Sequence, residues 1–125
     1  MAKQNPVVYF EIPVLDIERA MSFYSKVFDI QLTKTVIDGY EMALFPQDEA
    51  KFGTSGALAK GDVYKPSKEG VFVYFGVESI DKTLELAMQN GSQVLYPKIS
   101  NGESGFVAEF EDSEGNRIAL HEAFK

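Results

Sequence analysis

Two side chains stand out as able to move a proton in a mostly apolar setting. Glu11 lies in the run VVYFEIPV, and His121, the only histidine, lies in RIALHEAFK near the other end. An acid in an apolar strand is exposed, paired or functional, because burying a charge without a partner is costly. A carboxylate beside an imidazole makes a general base tuned by its surroundings, or two ligands of a non-standard metal site. A structural hydrogen bond accounts for both residues equally well. Tyr9, Phe72 and Tyr74 add aromatic surface suited to a small, partly apolar or cationic ligand. The same residue types also fill ordinary cores. Other chemistries lack their residues. There is no cysteine, hence no disulfide, thiolate nucleophile or cysteine metal site. There is no glycine-rich phosphate loop, and no serine sits in a nucleophile elbow.

These side chains meet only if the strands present them to one space. Val8, Phe10, Ile12 and Val14 alternate with Val7, Tyr9, Glu11 and Pro13, the period of a strand. Asp16 offers an N-cap to a helix whose stripe is Ile17, Ala20, Met21, Tyr24, Val27 and Phe28, ending near Asp29. Strands are expected over Gln31–Ile37 and Tyr40–Phe45, joined by the hairpin signal Asp38-Gly39. A polar loop over Pro46–Thr54 leads to a short strand, Ser55–Lys60. Gly61–Glu69 has the composition of a linker, with Tyr64 and Lys65 as lid candidates and an ordinary connection as the plainer reading.

The pattern then repeats. Val71, Val73, Phe75 and Val77 alternate with Phe72, Tyr74 and Gly76. Ser79 caps a helix with the stripe Ile80, Leu84, Ala87 and Met88, stopped at Gly91. Gln93–Ile99, Phe106–Phe110 and Arg117–Phe124 follow as strands, the last two joined by the turn Asp112–Asn116. Val14 matches Val77, Asp16 matches Ser79, Ile17 matches Ile80 and Met21 matches Leu84 in one register, which marks a duplicated unit. The reading is one α+β domain over residues 1–125, with module one at about 7–60 and module two at about 71–124. Two half-sheets, each with a helix on one face, curl together and leave a cup between their free faces.

Three stretches carry a resemblance: VLDIERAMSFYSKVFDI, VFVYFGVESIDKTLELAMQNG and FEDSEGNRIALHE. With them the chain resembles the vicinal oxygen chelate superfamily of glyoxalase I, bleomycin-resistance proteins and extradiol dioxygenases. The most specific parts are the D-x-x-x-A-x-x-FY helix and the terminal D-x-x-G-N-x-I. Asp29 departs from the glycine common there. The resemblance implies two β-α-β-β-β modules and, often, a homodimer. In metal-dependent members a divalent ion sits in the cup on His, Glu or Gln, one each on the first and last strands of both modules. Those positions fall here on Tyr9, near Ala57, on Phe72 and on Ala119, a set without the donors a cation needs.

If the helices cover the Val8/Phe10/Ile12 and Val71/Val73/Phe75 faces, the cup receives Tyr9, Glu11, Phe72, Tyr74, Ala119 and His121. The expected function is a metal-independent small-molecule binder without cofactor, homodimeric and cytoplasmic. Tyr9, Phe72, Tyr74 and Ala119 would contact the ligand. The alternatives are a lyase, isomerase or dioxygenase of the glyoxalase type using Glu11 and His121, with or without a non-standard divalent metal, and an accessory interaction module whose cup is filled. A formal charge of -7 without a basic cluster argues against nucleic acid. No apolar run approaches the ~18 residues of a membrane span.

Overall fold

A computed structural model describes residues 5–48, 50–51 and 53–125. Residues 1–4, and Glu49 and Phe52 of the polar loop, lie outside the described residues. The elements are β1 (Phe10–Val14), α1 (Ile17–Phe28), β2 (Thr33–Ile37), β3 (Tyr40–Leu44), β4 (Gly56–Lys60), β5 (Tyr74–Gly76), α2 (Ile80–Gln89), β6 (Val94–Ser100), β7 (Gly105–Glu111) and β8 (Arg117–Ala123). They form two four-stranded sheets of the same order, β1-β4-β3-β2 and β5-β8-β7-β6. In each, the first strand runs parallel to the last and the rest are antiparallel.

Local chemistry accounts for the boundaries. Asp16 accepts from the Arg19 amide at 3.0 Å, and Ser79 accepts from Lys82 at 3.2 Å, so each helix starts on a side-chain cap. Asp29 ends α1 in the left-handed region (φ 54°), a conformation acidic residues tolerate better than most. Asp38 and Gly39, both at positive φ, make the tight hairpin between β2 and β3. Gly56 has no alternative: a Cβ there would lie 2.1 Å from the Phe10 carbonyl oxygen.

The helix-facing rows pack one shared core. Ile12, Leu58 and Ala43 lie side by side in the first sheet, and Phe75, Leu120 and Ala108 in the second. The stripes of both helices close over them. Phe28 stacks on Phe75 with ring centroids 4.5 Å apart, joining α1 to the second sheet.

Several expectations need correction. β5 is three residues long, so Val71 and Val73 precede it and Val71 is 90% exposed; no helix covers it. Val8 likewise precedes β1 and is exposed. Met88 leaves the stripe of α2, where Thr83 is buried instead. Phe23 joins the buried face of α1, and Met21 and Phe28 are only partly buried. Pro97 is accommodated within β6 by register shifts against β7.

The turn Asp112–Asn116 does more than connect strands. Asp112, buried, accepts the Tyr24 hydroxyl at 2.5 Å and the amides of Glu114 and Asn116 at 2.8 Å. Glu114 accepts the amides of Leu15 (2.8 Å) and Asp16 (2.9 Å) and a bidentate pair from Arg19. The Asn116 side chain donates from Nδ2 to the Pro13 carbonyl at 2.7 Å. Module two therefore holds the start of α1 in module one.

Candidate functional site

Each sheet has a helix-free face, and strand register fixes what stands on it. In the first sheet Glu11, Ala57 and Leu44 form one row, and Pro13, Ala59 and Met42 the next. Ala57, Ala59 and Met42 are buried, with Tyr40, Leu44 and Tyr64 packed against them. The ring of Tyr64, from the connection between modules, meets Tyr40 edge-on at 5.4 Å. Its hydroxyl donates to Glu11 Oε1 at 2.8 Å, and Tyr9 donates to Glu11 Oε2 at 3.0 Å. One carboxylate is thus held by two phenols. The bond to Glu11, with burial adding to it, pushes the Tyr64 hydroxyl up to about 12. Burial first, then the Glu11 carboxylate, raises Tyr9.

In the second sheet Tyr74, Ala119 and Glu109 form one row, and Gly76, His121 and Val107 the next. Tyr74 is 52% and Phe72 42% exposed. Phe72 precedes β5, as Tyr9 precedes β1. Arg117 pairs with Glu109 and sets its guanidinium over the Phe72 ring, 5.6 Å from the centroid. His121 Nε2 lies 3.0 Å from the Ser104 hydroxyl. Ala119 is fully buried, so its methyl forms floor beneath its neighbours.

Glu11 and His121 are not brought together as a dyad. They stand on different sheets, and neither a hydrogen bond nor an ion pair joins them: Glu11 is engaged by Tyr9 and Tyr64, His121 by Ser104. Parity on each strand was readable, but Tyr64 and Ser104 lie 53 and 17 residues from the side chains they engage. Sequence reasoning also missed Arg117, which shares the alternation of Ala119 and His121, and Tyr40, which shares that of Met42 and Leu44.

A cleft of about 280 Å³ lies along the seam between β1 and the second sheet. Glu11, Pro13, Lys65, Val73 and Arg117 line it, so it borders the carboxylate of one face and the guanidinium of the other.

The positions that the resemblance gives to metal ligands hold Tyr9, Ala57, Phe72 and Ala119. Among the described residues no group of three or more His, Cys, Asp or Glu side chains is placed to hold a metal ion. This donor set does not fit a divalent cation.

A model of the glyoxalase/bleomycin resistance protein/dioxygenase superfamily matches residues 6–120. The chain belongs to that superfamily. A glyoxylase-like domain-containing protein from Didymella fabae is 32% identical over 124 residues, covering 96% of this chain and 95% of its own. Among solved structures of the same fold is UcmS2, with a TM-score of 0.70, 23% identity and coverage of 96% of this chain and 99% of that one. TnmS3, an antibiotic binding protein from Streptomyces sp. CB03234, has a TM-score of 0.67 at 21% identity, covering 99% of this chain and 100% of its own. A glyoxalase I variant from Zea mays gives 0.69 at 20% identity over 94% of this chain, which spans only 46% of the maize chain. The described residues make up one pair of β-α-β-β-β units, and no helix among them is long and apolar enough to cross a membrane.

Proposed function

We propose that this superfamily member is a metal-independent small-molecule binder that holds a partly apolar ligand on its helix-free aromatic surfaces. The observation that carries this reading is the grouping of exposed aromatic rings with a few oriented polar groups. Tyr9 stands with Glu11, and Phe72 and Tyr74 stand near Arg117, Glu109 and His121. Concave, mostly apolar surface with sparse polar groups is what small-ligand sites are made of. TnmS3, described as an antibiotic binding protein, uses the same fold over its full length. The acidic net charge is compatible with a cationic ligand. In this reading the protein acts as a cytoplasmic homodimer, and sedimentation of the purified protein as a monomer would overturn that part of it.

The test is a thermal-shift screen of the purified protein against divalent metals and small cationic and aromatic compounds. A compound that binds the native state raises the melting temperature by mass action. Shifts from organic compounds and none from metals support the binder. A stoichiometric metal whose chelation abolishes an activity would overturn it in favour of a lyase, isomerase or dioxygenase using Glu11 or His121. Uniformly flat melting curves would favour the accessory module with a filled cup, for which the covered first-sheet face is the supporting observation.

A further inference from the structure

The first-sheet face is occupied by the chain's own side chain. Tyr64 belongs to no strand or helix, yet its ring lies on the Met42, Ala57 and Ala59 floor, edge-on to Tyr40, and its hydroxyl reaches Glu11. Each contact has the character of a ligand contact. The apolar floor takes a flat ring, a neighbouring aromatic edge orients it, and one carboxylate oxygen accepts one donor. The floor is built for this, since Ala57 and Ala59 alternate on β4 and leave depth where larger side chains would fill it. Glu11 also borders the 280 Å³ seam cleft, so a molecule bonded to it has further space beyond the ring.

We propose that Tyr64 is an internal occupant of a ring-binding seat, and that the seat takes a planar aromatic ligand carrying one O–H or N–H donor, which binds by displacing Tyr64. This rests on the binder reading above and gives it a ligand class and a gate. The three-point match of floor, ring edge and carboxylate selects for an uncharged ring with a donor at its rim. It selects against carboxylated rings, which Glu11 repels. Displacement is feasible because Tyr64 sits in the irregular connection between the modules, tied through its side chain and one backbone bond from its amide to the Gly61 carbonyl. An intramolecular occupant lowers the apparent affinity of any competitor by the fraction of time it leaves the seat free.

The probe is 4-methylphenol, the tyrosine side chain without its backbone, titrated into the full chain and followed by the methyl resonances of Met42, Ala57 and Ala59. Tyr64→Ala is expected to bind it in about the millimolar range or tighter, at least tenfold better than the unsubstituted protein. Tyr64→Phe keeps the ring in place and is expected to bind it as weakly as the unsubstituted protein. If Tyr64→Ala does not fold, Tyr64→Phe is the variant read, and toluene and 4-methylphenol should separate on it by less than twofold. Adding Glu11→Leu to Tyr64→Ala should weaken binding about tenfold, the worth of one charge-assisted bond. Equal affinity in Tyr64→Ala and the unsubstituted protein, or methyl resonances unmoved in both, overturns the occupant. Screen ligands whose shifts depend on Tyr74 and not on Tyr64 would leave the general binder standing while this inference fails.

Discussion

The two modules share a topology and differ on one face. Their helix-facing rows are alike, Ile12–Leu58–Ala43 against Phe75–Leu120–Ala108, all apolar. Their helix-free rows are not. Glu11–Ala57–Leu44 faces Tyr74–Ala119–Glu109 in the duplicated arrangement, so the carboxylate has moved from the first strand to the third. Where module two has His121, module one has Ala59. The acid of module one is held by two neutral phenols, that of module two by a guanidinium. A core row must stay apolar to keep the sheet under its helix, whereas a helix-free row answers only to what binds there. That divergence falls on the side the proposed ligand would occupy.

The modules also differ in who completes whom, and this is the comparison to break first. Asp112→Ala leaves the buried Tyr24 hydroxyl and two turn amides without their acceptor, and should cost about 3–4 kcal/mol in urea unfolding. Both helix starts take a glutamate from module two: Glu114 at Leu15 and Asp16, and Glu122 at Ile80 with a 2.8 Å bond. Glu114→Ala, which also releases Arg19, should cost about 2–3 kcal/mol and Glu122→Ala about 1–2 kcal/mol by the same measurement. Equal costs would erase the asymmetry.

Acid sharpens it further. Burial opposes the Glu114 charge, but bonds from Arg19, the Asp16 amide, the Ser113 hydroxyl and the Leu15 amide outweigh it and bring the carboxyl from 4.5 down to about 2. Its contribution is complete above the ordinary value and is lost as pH falls toward about 2. Asp112 works the other way: burial, against the bonds from Tyr24 and Asn116, raises its pKa, so that contribution grows as pH falls. Acid unfolding of Glu114→Gln should lose the decline below 4.5, and Asp112→Asn should make it steeper. The smallest effect belongs to the open face. Tyr74→Ala should change stability by less than about 0.5 kcal/mol, yet remove the thermal shift of any compound seated on the second sheet.

What was legible in the sequence was whatever repeats locally. The strand alternations, the Asp16 and Ser79 caps and the Asp38-Gly39 hairpin leave signals within a few residues, and the duplication shows because those local signals recur in one register. β5 came out short: Val71 has strand propensity but is left exposed, and Val73 keeps a bond to β8 from the Ala119 amide without belonging to the strand. The Glu11–Tyr64 and Glu114–Arg19 contacts leave no period to read. They join residues 53 and 95 positions apart, and only the folded topology brings them together. The parity of Glu11 and His121 was sound on each strand, but it could not say that each would find a different hydroxyl.

The turn that clasps α1 also sets an order of events during synthesis. α1 leaves the ribosome before the glutamate that accepts from Leu15, which lies 99 residues further on. Until that turn emerges, the amides ahead of Asp16 are left to water and the Tyr24 hydroxyl has no acceptor. Until then the nascent first module is an unfinished half, open to chaperones and proteases, and the Asp112–Asn116 turn is the one that closes it.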